Sequence, residues 1–252
     1  MKIGFLGVGN IATCMIEGFY GLGQQHDFFL SPRNVARSAE FAAKYTNVTV
    51  CASNQHVVNT TDIVFLTMNS RDKDCVEALR SLNFRVDQHI VNVIATTPPE
   101  DVREAIGTVG GFSQIIPLPS VRHRYGPIAA YPESAWLEEL MSPLGTVVFA
   151  KTLDDIRTMQ ALTALIATFY DTLHNLTIFA ENEGLGRKEA ITFISAFYAS
   201  LCKNVLDADF DELIGEMTPG GLNMMAQGIL NEKGAVKAWG DVLTPVIERI
   251  RG

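Results

Sequence analysis

Apolar positions along this chain follow two different rhythms. In the first part they come as short runs separated by helical stretches. The runs are Lys2 to Leu6, His26 to Leu30, Val48 to Val50, Asp62 to Thr67, His89 to Ala95, Gln114 to Pro117 and Gly145 to Phe149. Asp62-Ile63-Val64-Phe65-Leu66-Thr67 is almost continuously apolar, as expected of a strand covered by helices on both faces. Between the runs, helical spacing is read after residue 10 (Met15, Ile16, Phe19, Tyr20), over Val35 to Tyr45 and over about Asp72 to Leu82. Strands alternating with helices predict a parallel, doubly wound α/β sheet.

Past Lys151 the rhythm changes. Thr152 and Asp155 have the spacing of a capping box. Apolar residues then recur three or four apart at Ile156, Met159, Leu162, Ile166, Phe169, Leu173, Leu176 and Ala180. The pattern predicts one uninterrupted helix as far as Gly184, longer than the roughly 8–20 residues of most globular helices. A second helix over roughly Lys188 to Leu206 and two or three shorter ones follow, with no strand signal. The division is therefore residues 1–151, a Rossmann-like domain, and 152–252, an all-helical domain. The long helix is apolar on more than one face (Leu165, Phe169, Tyr170, Leu173), which predicts burial against a second copy of the chain.

The first strand breaks directly into Gly7-Val8-Gly9-Asn10-Ile11-Ala12, a G-x-G-x-x-A turn. A dinucleotide pyrophosphate makes three demands at such a turn, and the residues match them. Gly7 permits the tight exit from the strand, Gly9 lets the backbone approach the phosphates, and Ala12 lets the helix pack closely on the strand. The helix N-terminus adds unpaired N–H groups and a positive dipole end. At the end of the second strand, where NAD-binding domains place an acidic residue, the chain has Ser31-Pro32-Arg33. A hydroxyl and a guanidinium suit a 2′-phosphate, so NADP(H) is expected, with NAD(H) as the alternative.

With 47% hydrophobic and 19% charged residues in 252, the composition is that of a globular chain. A net charge of −8 and the lack of a dense basic stretch speak against nucleic acid as a partner. No apolar window reaches the length of a membrane span, and glycines interrupt the N-terminal run that a secretory signal would need. Cys14, Cys51, Cys75 and Cys202 are scattered and the five histidines isolated. Free thiols in a cytoplasmic protein are expected, and no metal site.

Gly7-Val8-Gly9-Asn10-Ile11-Ala12, Ser31-Pro32-Arg33-Asn34, Asn54 ahead of Thr61 to Leu66, and Thr218-Pro219-Gly220-Gly221 occur in the order and spacing of pyrroline-5-carboxylate reductases. The chain resembles that family over nearly its whole length, the last motif being the most telling. The resemblance implies NAD(P)H-dependent reduction of a small cyclic imine carboxylate, a place in proline biosynthesis, and a dimer built by the helical half. It also implies that Gly7, Gly9, Asn10, Ile11 and Ala12 hold the pyrophosphate, and Ser31 and Arg33 the 2′-phosphate. Asn54 would lie on the adenosine ribose side, and Leu66, Thr67 and Ala95 along the nicotinamide path. Thr218, Gly220, Gly221 and Asn223 would belong to the substrate region.

The chain departs from the pattern at several points. Asn69-Ser70 replace Lys-Pro, Thr96-Thr97 replace Ala-Gly, and Ile116-Pro117-Leu118-Pro119-Ser120 replaces Met-Pro-Asn-Thr-Pro. The S-G-S-G-P-A-Y substrate loop becomes Ala161-Leu162-Thr163-Ala164-Leu165-Ile166-Ala167, and Asn223 stands for a threonine. Arg122 and Arg124, around His123, offer a replacement site for an acidic substrate group. Asp171 with His174, Thr163 and Tyr170 are weaker polar candidates, better suited to a helix surface or to packing. No catalytic residue is assigned. Two further readings remain: a dinucleotide-binding sensor or assembly protein without catalysis, and an NADP oxidoreductase with a different small substrate. The N-terminal half also looks like deazaflavin-dependent NADP reductases.

Overall fold

A computed structural model describes residues 1–23, 26–68, 75–95 and 97–251. Asn69, Ser70 and Thr96, singled out above, lie outside the described residues, as does the start of the helix expected from Asp72. The chain forms two units, one of residues 1–160 with 250–252 and the other of residues 161–249. This division falls inside the first helix of the helical half, beyond the 151/152 boundary read from the sequence.

The first unit runs β1 (Lys2–Leu6), α1 (Asn10–Tyr20), β2 (Asp27–Leu30), α2 (Val35–Lys44), β3 (Val48–Val50), α3 (Asn54–Thr60), β4 (Ile63–Leu66), α4 (Cys75–Arg80) and β5 (His89–Asn92). It continues through α5 (Pro99–Ile106), β6 (Gly111–Pro117), a 3-10 turn (Pro119–His123), β7 (Pro127–Tyr131), α6 (Ala135–Met141) and β8 (Thr146–Phe149) into α7 (Leu153–Thr163). One sheet of eight strands has the order β3-β2-β1-β4-β5-β6-β7-β8. β1 to β6 are parallel, as the alternation predicted. β7 runs antiparallel to β6, and β8 is parallel to β7, so the sheet is mixed rather than wholly parallel. Pro127-Ile128-Ala129-Ala130-Tyr131 gave no strand signal because proline and alanine are poor strand formers.

The central strands distribute their side chains to two apolar layers, as period-two geometry requires. Ile3, Phe5, Ile63 and Phe65 enter one, where the Phe5 and Phe65 rings stack at 5.1 Å. Leu6, Val64 and Leu66 enter the other. Local chemistry sets the helix starts. Ser53 Oγ accepts the His56 N–H to begin α3, and Ser134 Oγ accepts the Leu137 N–H to begin α6. At α7 the expected capping box is present: the Asp155 N–H donates to Thr152 Oγ1 at 3.1 Å, and the Thr152 N–H to Asp155 Oδ2 at 2.9 Å.

The second unit contains the end of α7, then α8 (Ile166–Asn182), α9 (Arg187–Asn204), α10 (Phe210–Gly215), α11 (Leu222–Glu232), α12 (Ala235–Asp241) and most of α13 (Leu243–Arg251). The expected single long helix is broken at Ala164–Leu165. There the N–H groups of Ala164 and Leu165 bond three residues back, to the carbonyls of Ala161 and Leu162. This tighter turn ends α7, and α8 restarts with no side-chain cap. Apolar spacing cannot report such a break, because a single turn of different pitch leaves the periodicity almost intact. No helix among the described residues is long and apolar enough to cross a membrane.

His26 supplies a pH-dependent stability term. Its ring meets Phe19 edge-on at 5.6 Å, and burial pushes its pKa below the ordinary 6.5. Below pH 6.5 the unfolded chain takes up a proton that the folded chain resists. The contribution is therefore complete above that value and is lost as pH falls through the folded pKa. The urea midpoint of the wild type should fall between pH 7.5 and pH 5.5 by more than that of His26→Phe; equal falls in the two proteins would refute this.

Candidate functional site

The strand order reverses direction at β1 and β4, and a cleft of 770 Å³ opens beyond their C-terminal ends. This is the switch point at which open α/β sheets bind ligands. Nine residues named from the sequence line it: Gly7, Gly9, Asn10, Ile11, Ser31, Arg33, Asn54, Thr67 and Ala95.

The cleft is built around Gly7. Its φ of +101° is strained for any side chain, and a Cβ there would lie 2.7 Å from the Thr67 carbonyl oxygen and 2.8 Å from the Met68 backbone. Both of its peptide groups are claimed by neighbouring strands. The Gly7 N–H donates to Ser31 Oγ at 2.9 Å, and Thr67 Oγ1 donates to the Gly7 carbonyl at 2.6 Å. Ser31, buried at the end of β2, thus uses its oxygen as an acceptor while its own hydrogen remains a donor. The Ser38 hydroxyl in turn holds the Ser31 carbonyl at 3.1 Å.

Gly9 differs in kind. It is the N-cap of α1, and a Cβ built there meets nothing within 4 Å. The backbone alone does not demand glycine there, and the position borders the open cleft. α1 has no side-chain cap and no acidic residue in its first turn. Its first N–H groups and positive dipole end therefore face a space suited to an anion. Exposed Arg33 stands beyond β2 on the same rim.

The sequence reading quotes Asn34 within its motif but gives it no role. Its Oδ1 accepts the Arg37 N–H as the cap of α2, and its Nδ2 donates to the Val8 carbonyl at 3.2 Å. It ties the glycine turn to α2. An Asn before a helical run was the available signal, pointing to the cap but not to the long-range bond. Met68, Ala78 and Val93 also line the cleft.

Four of the expected site residues lie outside the cleft lining. Ala12 is fully buried in the core, in the close packing of α1 that the G-x-G-x-x-A turn predicts. Leu66 is likewise fully buried, because the alternation of β4 directs it into the apolar layer. Arg122 does not reach the cleft. Its guanidinium donates to Cys14 Sγ at 3.0 Å and lies 3.5 Å from the Glu17 carboxylate, both on α1. Arg124, in the left-handed conformation at φ +60°, lies beside Gly21 past the end of α1. The turn carrying both packs along α1, a placement that a loop read as free could not reveal.

In the second unit, Thr218-Pro219-Gly220-Gly221 forms a tight turn. The Gly221 N–H donates to the Thr218 carbonyl at 2.9 Å, and Gly220 takes φ +72°. Proline followed by a positive-φ glycine is the signature of a type II turn. Gly221 caps α11, and the Asn223 amide rests on Met217 Sδ at 3.2 Å. Asp171, His174 and Tyr170 are exposed on α8.

Residues 2–97 match the family described as NADP oxidoreductase coenzyme F420-dependent. Pyrroline-5-carboxylate reductase 2 of Bacillus subtilis (strain 168) is 28% identical over 127 residues, which is 49% of this chain and 45% of that protein. The match thus spans less than half the length of the curated relative. The solved 1-pyrroline-5-carboxylate reductase of Streptococcus pyogenes superposes with a TM-score of 0.82 at 19% identity, over 99% of this chain and 98% of that one. The chain has the pyrroline-5-carboxylate reductase fold. The Plasmodium falciparum pyrroline carboxylate reductase, solved with NADP bound, agrees, with a TM-score of 0.83 at 13% identity over 99% of this chain and 97% of that one. This reductase fold accounts for both the Rossmann-type sheet and the helical second unit.

The two glycines should separate in experiment. Gly7→Ala forces a left-handed alanine against backbone and should lower unfolding stability by about 1–3 kcal/mol. Gly9→Ala should leave the urea midpoint unchanged; a comparable loss there would show that Gly9 is a folding requirement.

Proposed function

We propose that the protein is an NADP(H)-dependent reductase of a C=N bond in a small cyclic imine carboxylate such as pyrroline-5-carboxylate. The observation that carries this reading is the uncapped N-terminus of α1, facing a cleft that Gly9 leaves open and that Arg33 rims. Gly7, Gly9, Asn10 and Ile11 would receive the pyrophosphate, Ser31 and Arg33 the 2′-phosphate, and Asn54 the adenosine ribose side. Thr67 and Ala95 would lie along the nicotinamide path. When bound, NADPH supplies the hydride.

The protein's own part is binding and orientation. Arg33 is the one charged side chain among the described residues that line the cleft, and none of those residues is a general acid. An imine that enters already protonated needs none, because positioning and electrostatics suffice for its reduction. The stretch aligned with the family's substrate loop, Ala161 to Ala167, contains the break at Ala164–Leu165 in place of the glycines and serines. Thr218, Gly220, Gly221 and Asn223 belong to the same proposed substrate region. The second reading, a dinucleotide sensor without catalysis, draws on the loss of that loop's residues.

Self-association through the helical unit is part of the proposal. α8 and α9 bury only Thr177 and Ala190, and α10 to α13 bury nothing. Phe193 is 68% exposed and Leu222 85%. An array this apolar needs a partner surface, and a second copy of the same unit supplies one. The unbridged thiols Cys14, Cys51 and Cys202 suit a cytoplasmic location.

Three measurements test this reading. Loss of NADPH absorbance in the presence of a cyclic imine carboxylate supports the reductase, whereas tight NADPH binding without turnover on any imine favours the sensor. Arg33→Ala should raise the NADPH Michaelis constant roughly fivefold to tenfold and leave that for NADH nearly unchanged, while Gly9→Ala weakens both. Sedimentation velocity at micromolar concentration should show a dimer or larger species, and a monomer would refute the association.

A further inference from the structure

The far wall of the cleft is lined by Val93 and Ala95, just past β5. Neither carries a side-chain donor or acceptor, so a ligand resting there meets only shape and backbone. The backbone at that point is held by an unusual set of side chains. Asn92, the last residue of β5, is fully buried, and Gln114, in register beside it on β6, is 3% exposed. Two amides within apolar strands are costly unless every polar group finds a partner.

Here they do, and the bonds converge on the segment leaving β5. Asn92 Nδ2 donates to Gln114 Oε1 at 2.6 Å, and Gln114 Nε2 donates to the Ile115 carbonyl at 3.4 Å. Asn92 Oδ1 accepts the Ile94 N–H at 3.1 Å, an Asx turn that steers the chain off the sheet. The Val93 N–H stays bonded to the Leu66 carbonyl of β4 at 3.0 Å. Gln160, on α7, then donates its amide to the Ala95 carbonyl at 2.5 Å. Simple apolar packing would not call for three side-chain amides around three consecutive residues.

We propose that Asn92, Gln114 and Gln160 are positioning residues, holding Val93 to Ala95 as the fixed wall on which the nicotinamide end of the dinucleotide is oriented. This rests on the dinucleotide reading above. It assigns the orientation of the reacting ring to a set of residues separate from the Gly7 turn, which governs the phosphates. A small displacement of that wall leaves adenosine and phosphate contacts intact and misaligns the ring.

The test uses the full-length chain and calorimetric titration with two ligands: 2′,5′-ADP, which lacks the nicotinamide end, and NADPH, which has it. Gln160→Glu keeps the shape but cannot donate to the Ala95 carbonyl, Gln160→Lys restores a donor, and Gln114→Leu removes the acceptor for Asn92. All proteins should bind 2′,5′-ADP alike. NADPH should weaken roughly fivefold in Gln160→Glu and Gln114→Leu, the equivalent of about one neutral hydrogen bond, and recover in Gln160→Lys. Because Gln160 is only half-buried, its variants stay informative even if Gln114→Leu fails to fold. Unchanged NADPH affinity in the Gln160 variants, or parallel loss of both ligands, would overturn the positioning role. A wild type that binds neither ligand would overturn the dinucleotide reading itself, and the positioning role with it.

Discussion

One residue, through the two peptide groups on either side of it, joins three of the strand ends that border the cleft. Gly7 follows β1, its N–H is taken by Ser31 beyond β2, and its carbonyl is taken by Thr67 beyond β4. Because β2, β1 and β4 are adjacent in the sheet, these two bonds cross-link its centre where the strands give way to loops. Both bonding hydroxyls belong to buried residues, so an unmade bond would leave a polar group away from water, a larger cost than the bond's net worth. The left-handed conformation of Gly7 is the condition for both. α1 starts where it does, with its N–H groups directed into the cleft, because the chain turns at that residue.

The first half of the fold was legible because its signals are local. Apolar runs bounded by turns, a G-x-G-x-x-A step and an Asp three residues after a Thr are each decided within a few positions. What escaped depends on partners distant in sequence. β7 is a strand because β6 and β8 flank it, not because Pro-Ile-Ala-Ala-Tyr favours extension. The break at Ala164–Leu165 lies in a stretch whose spacing and propensity both favour helix. Arg122 and Arg124 looked available because a sequence shows a basic triplet without showing that α1 lies against it. The same limit hid the site's scaffold. Ser31 was read as a ligand contact, and its bond to Gly7 across 24 positions came only with the structure.

The cleft is chemically sparse, and that shapes what it does. Among the described residues that line it, glycine, alanine, valine and small polar residues predominate, and the start of α1 supplies directed backbone charge. Fixed peptide dipoles need no reorganisation when a ligand arrives, unlike mobile charged side chains. Such a surface is exacting about the placement of its main chain. The density of side-chain to backbone bonds around it, from Ser31, Asn34, Thr67, Asn92 and Gln160, reflects that demand.

Ser31 and Arg33 sit two residues apart on the same rim, yet they are bound to very different fates. Arg33 is exposed on the cleft rim, where the proposed 2′-phosphate contact is the role a substitution would change first. Ser31 is constrained by Gly7: any successor must still present an acceptor at that place. Aspartate meets the condition in chemical type and would at the same time repel a 2′-phosphate. The route from one dinucleotide to the other is therefore narrow. It is open to residues with an oxygen at position 31 and closed to those without, whatever the ligand would prefer.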